Sequence, residues 1–105
     1  MKDNFNYMKR LRLSMQSALL GAITCNMRNI SVDIDIIGNK IELCFFIDGE
    51  IRTEDEENIS IIETEVIADF EDNFDIDTVI KRLDYPLPVI LENGCSVFQR
   101  KEKPL

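Results

Sequence analysis

The chain contains no histidine and no tryptophan, and only four glycines, three prolines and three cysteines among its 105 residues. Without histidine the commonest general base and metal-binding side chain is missing. A nucleophilic Cys25 or Cys95 would therefore lack its usual imidazole partner. No G-x-G-x-x-G, Walker loop, G-x-S-x-G or metal-type cysteine pair occurs, which removes the familiar phosphate-binding and acyl-transfer signatures. The cysteines are odd in number, far apart and outside any C-x-x-C, so a disulfide framework is disfavoured and a reducing cytoplasm suits them. Cys44 lies in an apolar run and reads as a small buried hydrophobe.

Long apolar runs are missing too, and none approaches the ~18 residues that cross a bilayer. The first 25 residues hold basic residues and a short apolar segment, Ala18 to Ile23, but Ser, Gln and Arg interrupt any signal-peptide core. They read as an amphipathic helix and not as an export signal. Basic residues are scarce, 12 against 20 acids, for a net charge of −8. That balance opposes nucleic-acid binding, which rewards Lys and Arg on phosphates, and favours a basic protein as counterpart. An apolar fraction of 45% fits a folded chain. The length fits one domain, residues 1–105, with 1–6 and 101–105 as frayed termini.

What is present is a concentration of acid. Asp48 to Asp77 holds thirteen Asp or Glu against Arg52 alone, while the rest of the chain is net basic. Inside this segment, Thr53 to Phe70 has the pattern of an amphipathic helix. Thr53 and Glu56 have capping-box spacing, and Glu54 and Asp55 place negative charge at the positive end of the helix dipole. Ile59, Ile62, Val66 and Phe70 recur at three- and four-residue intervals, forming an inward stripe. The same geometry turns Glu57, Ile61, Thr64 and Ala68 outward, flanked by Glu54 and Glu65.

A first helix is expected from about Tyr7 to Ala22, with Met8, Leu11, Met15, Leu19 and Ala22 on its core face. Ile30 to Ile36 alternates as a strand, Ile37 to Lys40 supplies a turn through Gly38-Asn39, and Lys40 to Ile47 returns. Phe74 to Leu83 follows the acidic helix as a strand with Ile76, Thr78 and Ile80 on one face. Pro86 and Pro88 stop it, because proline donates no ladder hydrogen bond. Cys95 to Arg100 is the last strand, with Ser96, Phe98 and Arg100 alternating against Cys95, Val97 and Gln99. The order α-β-β-α-β-β gives an α+β fold, a four-stranded, mostly antiparallel sheet with two helices on one face.

The run Asp69, Glu71, Asp72, Asp75, Asp77 invites a cation site. It lacks the D-x-[DN]-x-[DN]-G order of a calcium loop, and Phe70, Phe74 and Ile76 interrupt it. A solvated helix end explains it better, and no metal or cofactor is expected. Carboxylates are so numerous that any pair could be cast as a hydrolytic dyad, so the pairing diagnoses nothing. Ile61 among carboxylates is a different matter. An exposed apolar residue ringed by charge has the anatomy of an interface anchor, although single exposed apolar residues are also normal. Glu54, Glu57, Ile61 and Glu65, continued by Asp69 and Asp72, are the candidate partner-binding residues.

The segments RLRLSMQSALLGAIT, IELCFFIDGEI, EDEENISIIETEVIADF and VIKRLDYPLP, with the closing VFQRKE, span roughly residues 9–102. Together they resemble a family of small acidic bacterial immunity proteins of polymorphic and contact-dependent growth-inhibition toxin systems. IETEVIADF and RLDYP are the most distinctive stretches. The resemblance implies cytoplasmic residence, no catalysis and a tight complex with a cognate toxin domain. Such toxins are often nucleases with basic grooves that an acidic surface could block. The family supplies no catalytic residues. The rival reading is a small assembly protein that homodimerises through a sheet edge or the apolar 86–91 loop.

Overall fold

The computed structural model describes residues 4–103. The elements are α1 (Asn4–Ala18), β1 (Met27–Asp35), β2 (Lys40–Ile47), α2 (Thr53–Ile67), β3 (Asp75–Arg82) and β4 (Cys95–Gln99). The α-β-β-α-β-β order is the one read from periodicity, and the fold is α+β. Four strands form one sheet in the order β3-β2-β1-β4. β1 runs antiparallel to both β2 and β4, whereas β2 and β3 are parallel. The parallel pair exists because α2 carries the chain from the end of β2 back to the start of β3. A parallel neighbour needs such a crossover, which a hairpin cannot provide.

One face of the sheet presents Ile30, Val32, Ile34, Ile41, Leu43, Phe45 and Ile47 to the helices, and all are buried. Leu11, Met15, Ala18 and Leu19 meet them from α1 and its exit turn, and Ile59, Ile62 and Val66 from α2. The α2 stripe is thus the one its three- and four-residue spacing indicates. Phe70 and Phe74 meet in a tilted arrangement, ring centres 5.4 Å apart, beyond its end and close that side of the core.

Several boundaries depart from the periodicity reading for local physical reasons. α1 starts at Asn4, so residues 4–6 are its first turn and no frayed leader; residues 1–3, assigned to the same leader, lie outside the described chain. It stops at Ala18 and not at Ala22. Gly21 takes a φ of +74° and the Ala22 N–H donates back to the Leu19 carbonyl at 3.0 Å. That left-handed geometry is one glycine adopts without steric cost. β1 begins three residues early because Arg28 and Asn29 are buried polar residues that break the apolar alternation. The hairpin loop spans residues 36–39, with Asn39 at a φ of 52°. The Asp35 carboxylate steadies it by accepting the N–H groups of Ile37 and Gly38 at 3.0 and 3.1 Å.

The expected alternation of β4 is corrected by a bulge. Phe98 opposes Ile30 and Cys95 opposes Val32, but Ser96 opposes Ser31, so one extra residue, Val97, is inserted between Ser96 and Phe98. Phe98 thereby joins Cys95 on the core side instead of Ser96 on the far side. The residues after β4 are not a loose tail as far as Glu102, which binds Arg28 and Arg100; residues 104–105 lie outside the described chain.

Candidate functional site

The acidic helix starts one residue earlier than its sequence pattern suggests. Arg52, with extended backbone (φ −101°, ψ 164°), is the N-cap. Asp55, three residues on, accepts the Arg52 N–H at 2.9 Å and also the Asn26 side-chain amide at 3.2 Å. Asp55 is buried, so the carboxylate that holds the helix start also ties it to the chain entering β1. Thr53 and Glu56, which the spacing nominated as the box, are exposed residues of the first turn. Only half of a box forms, displaced by one position, because the Arg52 guanidinium has no acceptor to offer the helix start. A second tether lies further along, where the Asn58 side chain donates to the Ala22 carbonyl at 2.8 Å.

With the inner stripe docked, the outer face is fixed. Glu54, Glu57 and Glu65 are exposed, and Ile61 in their midst is 60% exposed. None of the three glutamates is in an ion pair among the described residues. With Ile61 they occupy positions 54, 57, 61 and 65, so four of the six candidate residues form one continuous patch along α2. The other two sit apart from it. Asp69 lies past the helix end and accepts the Ser14 hydroxyl at 2.6 Å, while its carbonyl accepts from Arg10 at 2.8 Å. Asp72 is exposed in the turn before β3. Glu63, also on α2, points to the sheet and accepts the Thr78 hydroxyl.

Several charged groups elsewhere are paired within the fold. Glu71 pairs with Arg10 at 3.0 Å, and its carboxyl is held low by its own backbone N–H and by that guanidinium. Arg28, Glu102, Arg100 and Asp48 form a chain of pairs at the end of the sheet, at 2.7 to 2.9 Å. Two guanidiniums hold the Glu102 carboxyl down to about 2, the hydrogen bond from Arg28 contributing most. Burial pushes the Cys44 thiol up, which makes it a poorer nucleophile. Among the described residues no group of three or more Cys, Asp or Glu side chains is placed to hold a metal ion. Among the described residues no helix is long and apolar enough to cross a membrane.

A second surface went unnoticed in the sequence. Beside the β4 edge, α1 and its exit turn enclose an open groove of about 870 Å³. Phe5, Leu13, Leu20 and Ile23 border it at 73%, 56%, 80% and 42% exposure, with Lys9 and Arg12 on its rim. The signal was there, because Phe5, Lys9, Arg12, Leu13, Gln16 and Leu20 recur at helical spacing beside the core stripe. It was masked by the stronger stripe next to it.

Residues 8–102 match the sequence model of the MafI2 immunity protein family. No curated protein matches the chain.

Proposed function

Since the chain belongs to the MafI2 immunity protein family, we propose that it neutralises a cognate toxin domain by forming a stoichiometric complex, with the outer face of α2 as the contact surface. The observation that carries this reading is the patch itself. Among the described residues, Glu54, Glu57 and Glu65 stay out of the intramolecular ion pairs and surround an isoleucine that is 60% exposed. Charge of one sign on a rigid helix steers a basic partner, and an apolar centre with a charged rim holds it. A nuclease domain, whose substrate groove must be basic to bind phosphates, is the partner chemistry that this patch complements best.

Inhibition by occupancy needs no reaction, so the protein acts without turnover, metal or cofactor. It works in the cytoplasm of the cell that it protects, in a polymorphic or contact-dependent growth-inhibition system. Co-expression with the toxin encoded by the adjacent gene tests the reading. The expected result is a 1:1 co-purifying complex and a toxin silenced in proportion to the immunity protein added. A toxin that stays active with the protein in molar excess would overturn it.

A further inference from the structure

We propose that the α1–β4 edge is the contact between two copies of this chain, which join β4 to β4 about a two-fold axis and pack their α1 grooves together. The two edges of the sheet differ in chemistry. β3 carries Asp75, Asp77, Lys81 and Arg82 among its eight residues, and Lys40 pairs with Asp77 beside it at 2.6 Å. Charges of this kind keep an exposed strand from pairing with another. β4 reads Cys-Ser-Val-Phe-Gln and contains no charge and no proline. Arg100 turns its N–H to the Arg28 carbonyl at 2.8 Å, so the alternation of a strand turns the Gln99 amide towards the open edge.

The open β4 edge is flanked by the apolar groove. Four of the large exposed apolar side chains among the described residues gather there. They leave on the order of 500 Å² uncovered, most of the ~800 Å² that a standard interface buries on each partner. A single exposed residue needs no explanation, whereas a contiguous patch beside an unprotected strand does.

The bare strand edge favours a second copy as the occupant, and the charge distribution accommodates one. The chain is acidic overall, but α1 from Asn4 to Ala18 holds Lys9, Arg10 and Arg12 and no acid. α2 lies on the same face as α1 but towards the opposite edge of the sheet, joined to β3 through Glu63 and Thr78. Contact at β4 therefore keeps the two acidic helices at the far ends of the pair, where they repel least. α1 and the turn that follows it run alongside β4 and the residue after it, with Met8 sulfur 4.0 Å from Cys95 sulfur at one end and the Arg100 guanidinium donating to the Cys25 carbonyl at 2.8 Å at the other. Antiparallel strand pairing consequently makes the two α1 helices antiparallel. Lys9 and Arg12 of each copy then face the Leu20 end of the other, and Gln16 is nearest the axis. Both α2 patches stay open.

Sedimentation of the full chain without toxin tests this directly. The expected mass rises with concentration towards twice that of one chain. Leu20→Asp and Leu13→Asp, both at exposed positions, should weaken the dimer by about tenfold or more. Ile37→Asp and Ile61→Asp, at exposed apolar positions elsewhere, should leave it unchanged. In wild type, hydrogen exchange at the Gln99 amide should slow as concentration rises. A chain that stays monomeric to about millimolar concentration overturns the proposal, as does a dimer broken by Ile61→Asp and not by Leu20→Asp. A monomeric wild type whose Leu20→Asp variant loses the toxin would make the groove a toxin contact and overturn it too. Because no toxin is present in the sedimentation, its outcome is independent of the α2 reading.

Discussion

Glu102 grips the buried guanidinium of Arg28 with two hydrogen bonds, at 2.7 and 2.9 Å, across 74 residues of sequence. Arg28 is 3% exposed, and besides lying over the Tyr85 ring it donates to the Leu83 carbonyl at 2.8 Å. The pair anchors the residues after β4 to the strand at the centre of the sheet. Removing the carboxylate leaves a buried cation half-satisfied, which is costly even where the intact pair is close to neutral.

Glu102→Gln should therefore cost about 2–3 kcal/mol at neutral pH, measured by urea unfolding. The pH dependence follows from the carboxyl being held at about 2, below its ordinary 4.5. A depressed carboxylate contributes in full above its unfolded pKa and loses that contribution as pH falls towards the folded one. Wild-type stability should fall between about pH 4.5 and 2 more steeply than that of Glu102→Gln, and the two curves should converge at the acid end. Parallel curves would mean that the pair does not report the acid transition.

The cap of α2 makes a second, contrary pair of expectations. Asp55→Ala removes the acceptor of the Arg52 N–H and should cost about 1–2 kcal/mol. Thr53→Ala, at an exposed first-turn residue, should cost only a few tenths. Ile62→Ala, at a residue with no exposure, gives the scale of a core cavity, roughly 2–4 kcal/mol. Thermal or urea unfolding of the three variants ranks them, and Thr53→Ala exceeding Asp55→Ala would restore the box to the position its spacing suggested.

Gly94 enters β4 at a φ of +78°, and a side-chain carbon there would stand 2.1 Å from the Val32 carbonyl oxygen. Gly94→Ala combines backbone strain with a clash against backbone that cannot step aside. A loss of about 2 kcal/mol or more is expected, with β4 amides exchanging faster than those of β1 and β2. Uniform exchange across the sheet would show that β4 is not released separately.

The binding patch predicts two kinetic phenotypes that differ in kind. Glu57→Lys with Glu65→Lys should slow association with the toxin several-fold and flatten its salt dependence, with stability nearly unchanged. Ile61→Asp should act mainly by speeding dissociation, on the order of tenfold or more, since an anchor is lost after the encounter. Stopped-flow or surface-based kinetics separate the two. Wild-type association at low salt together with unchanged dissociation would mark α2 as a solvated face.

Much of this architecture could be read from residue spacing, because spacing reports which face of an element is buried. Ile59, Ile62 and Val66 announced α2, and Leu11 and Met15 announced α1. Spacing is silent about partners distant in sequence. Arg28 reads as surface until Glu102 is placed beside it, and Asn29 until its side-chain amide donates to the Ser96 hydroxyl oxygen at 3.0 Å. The Val97 insertion is invisible without the opposing β1 register. At the candidate patch, helical geometry alone set Glu54, Glu57, Ile61 and Glu65 on one face, because α2 is regular there. It could not do so for Asp69, since the helix ends at Ile67 and Ser14 turns that carboxylate towards α1.

The order of strands across the sheet also sets an order in time. β1 meets β2 through a four-residue loop between Asp35 and Lys40, but it meets β4 only when Val32 finds Cys95. Closing the longer loop costs about 2 kcal/mol more chain entropy, so the central hairpin forms first and β4 zips on late. What assembles last against so few partners also opens first under native conditions. The β4 edge is therefore the natural fraying point of the molecule, and anything that covers it would slow unfolding more than it would speed folding.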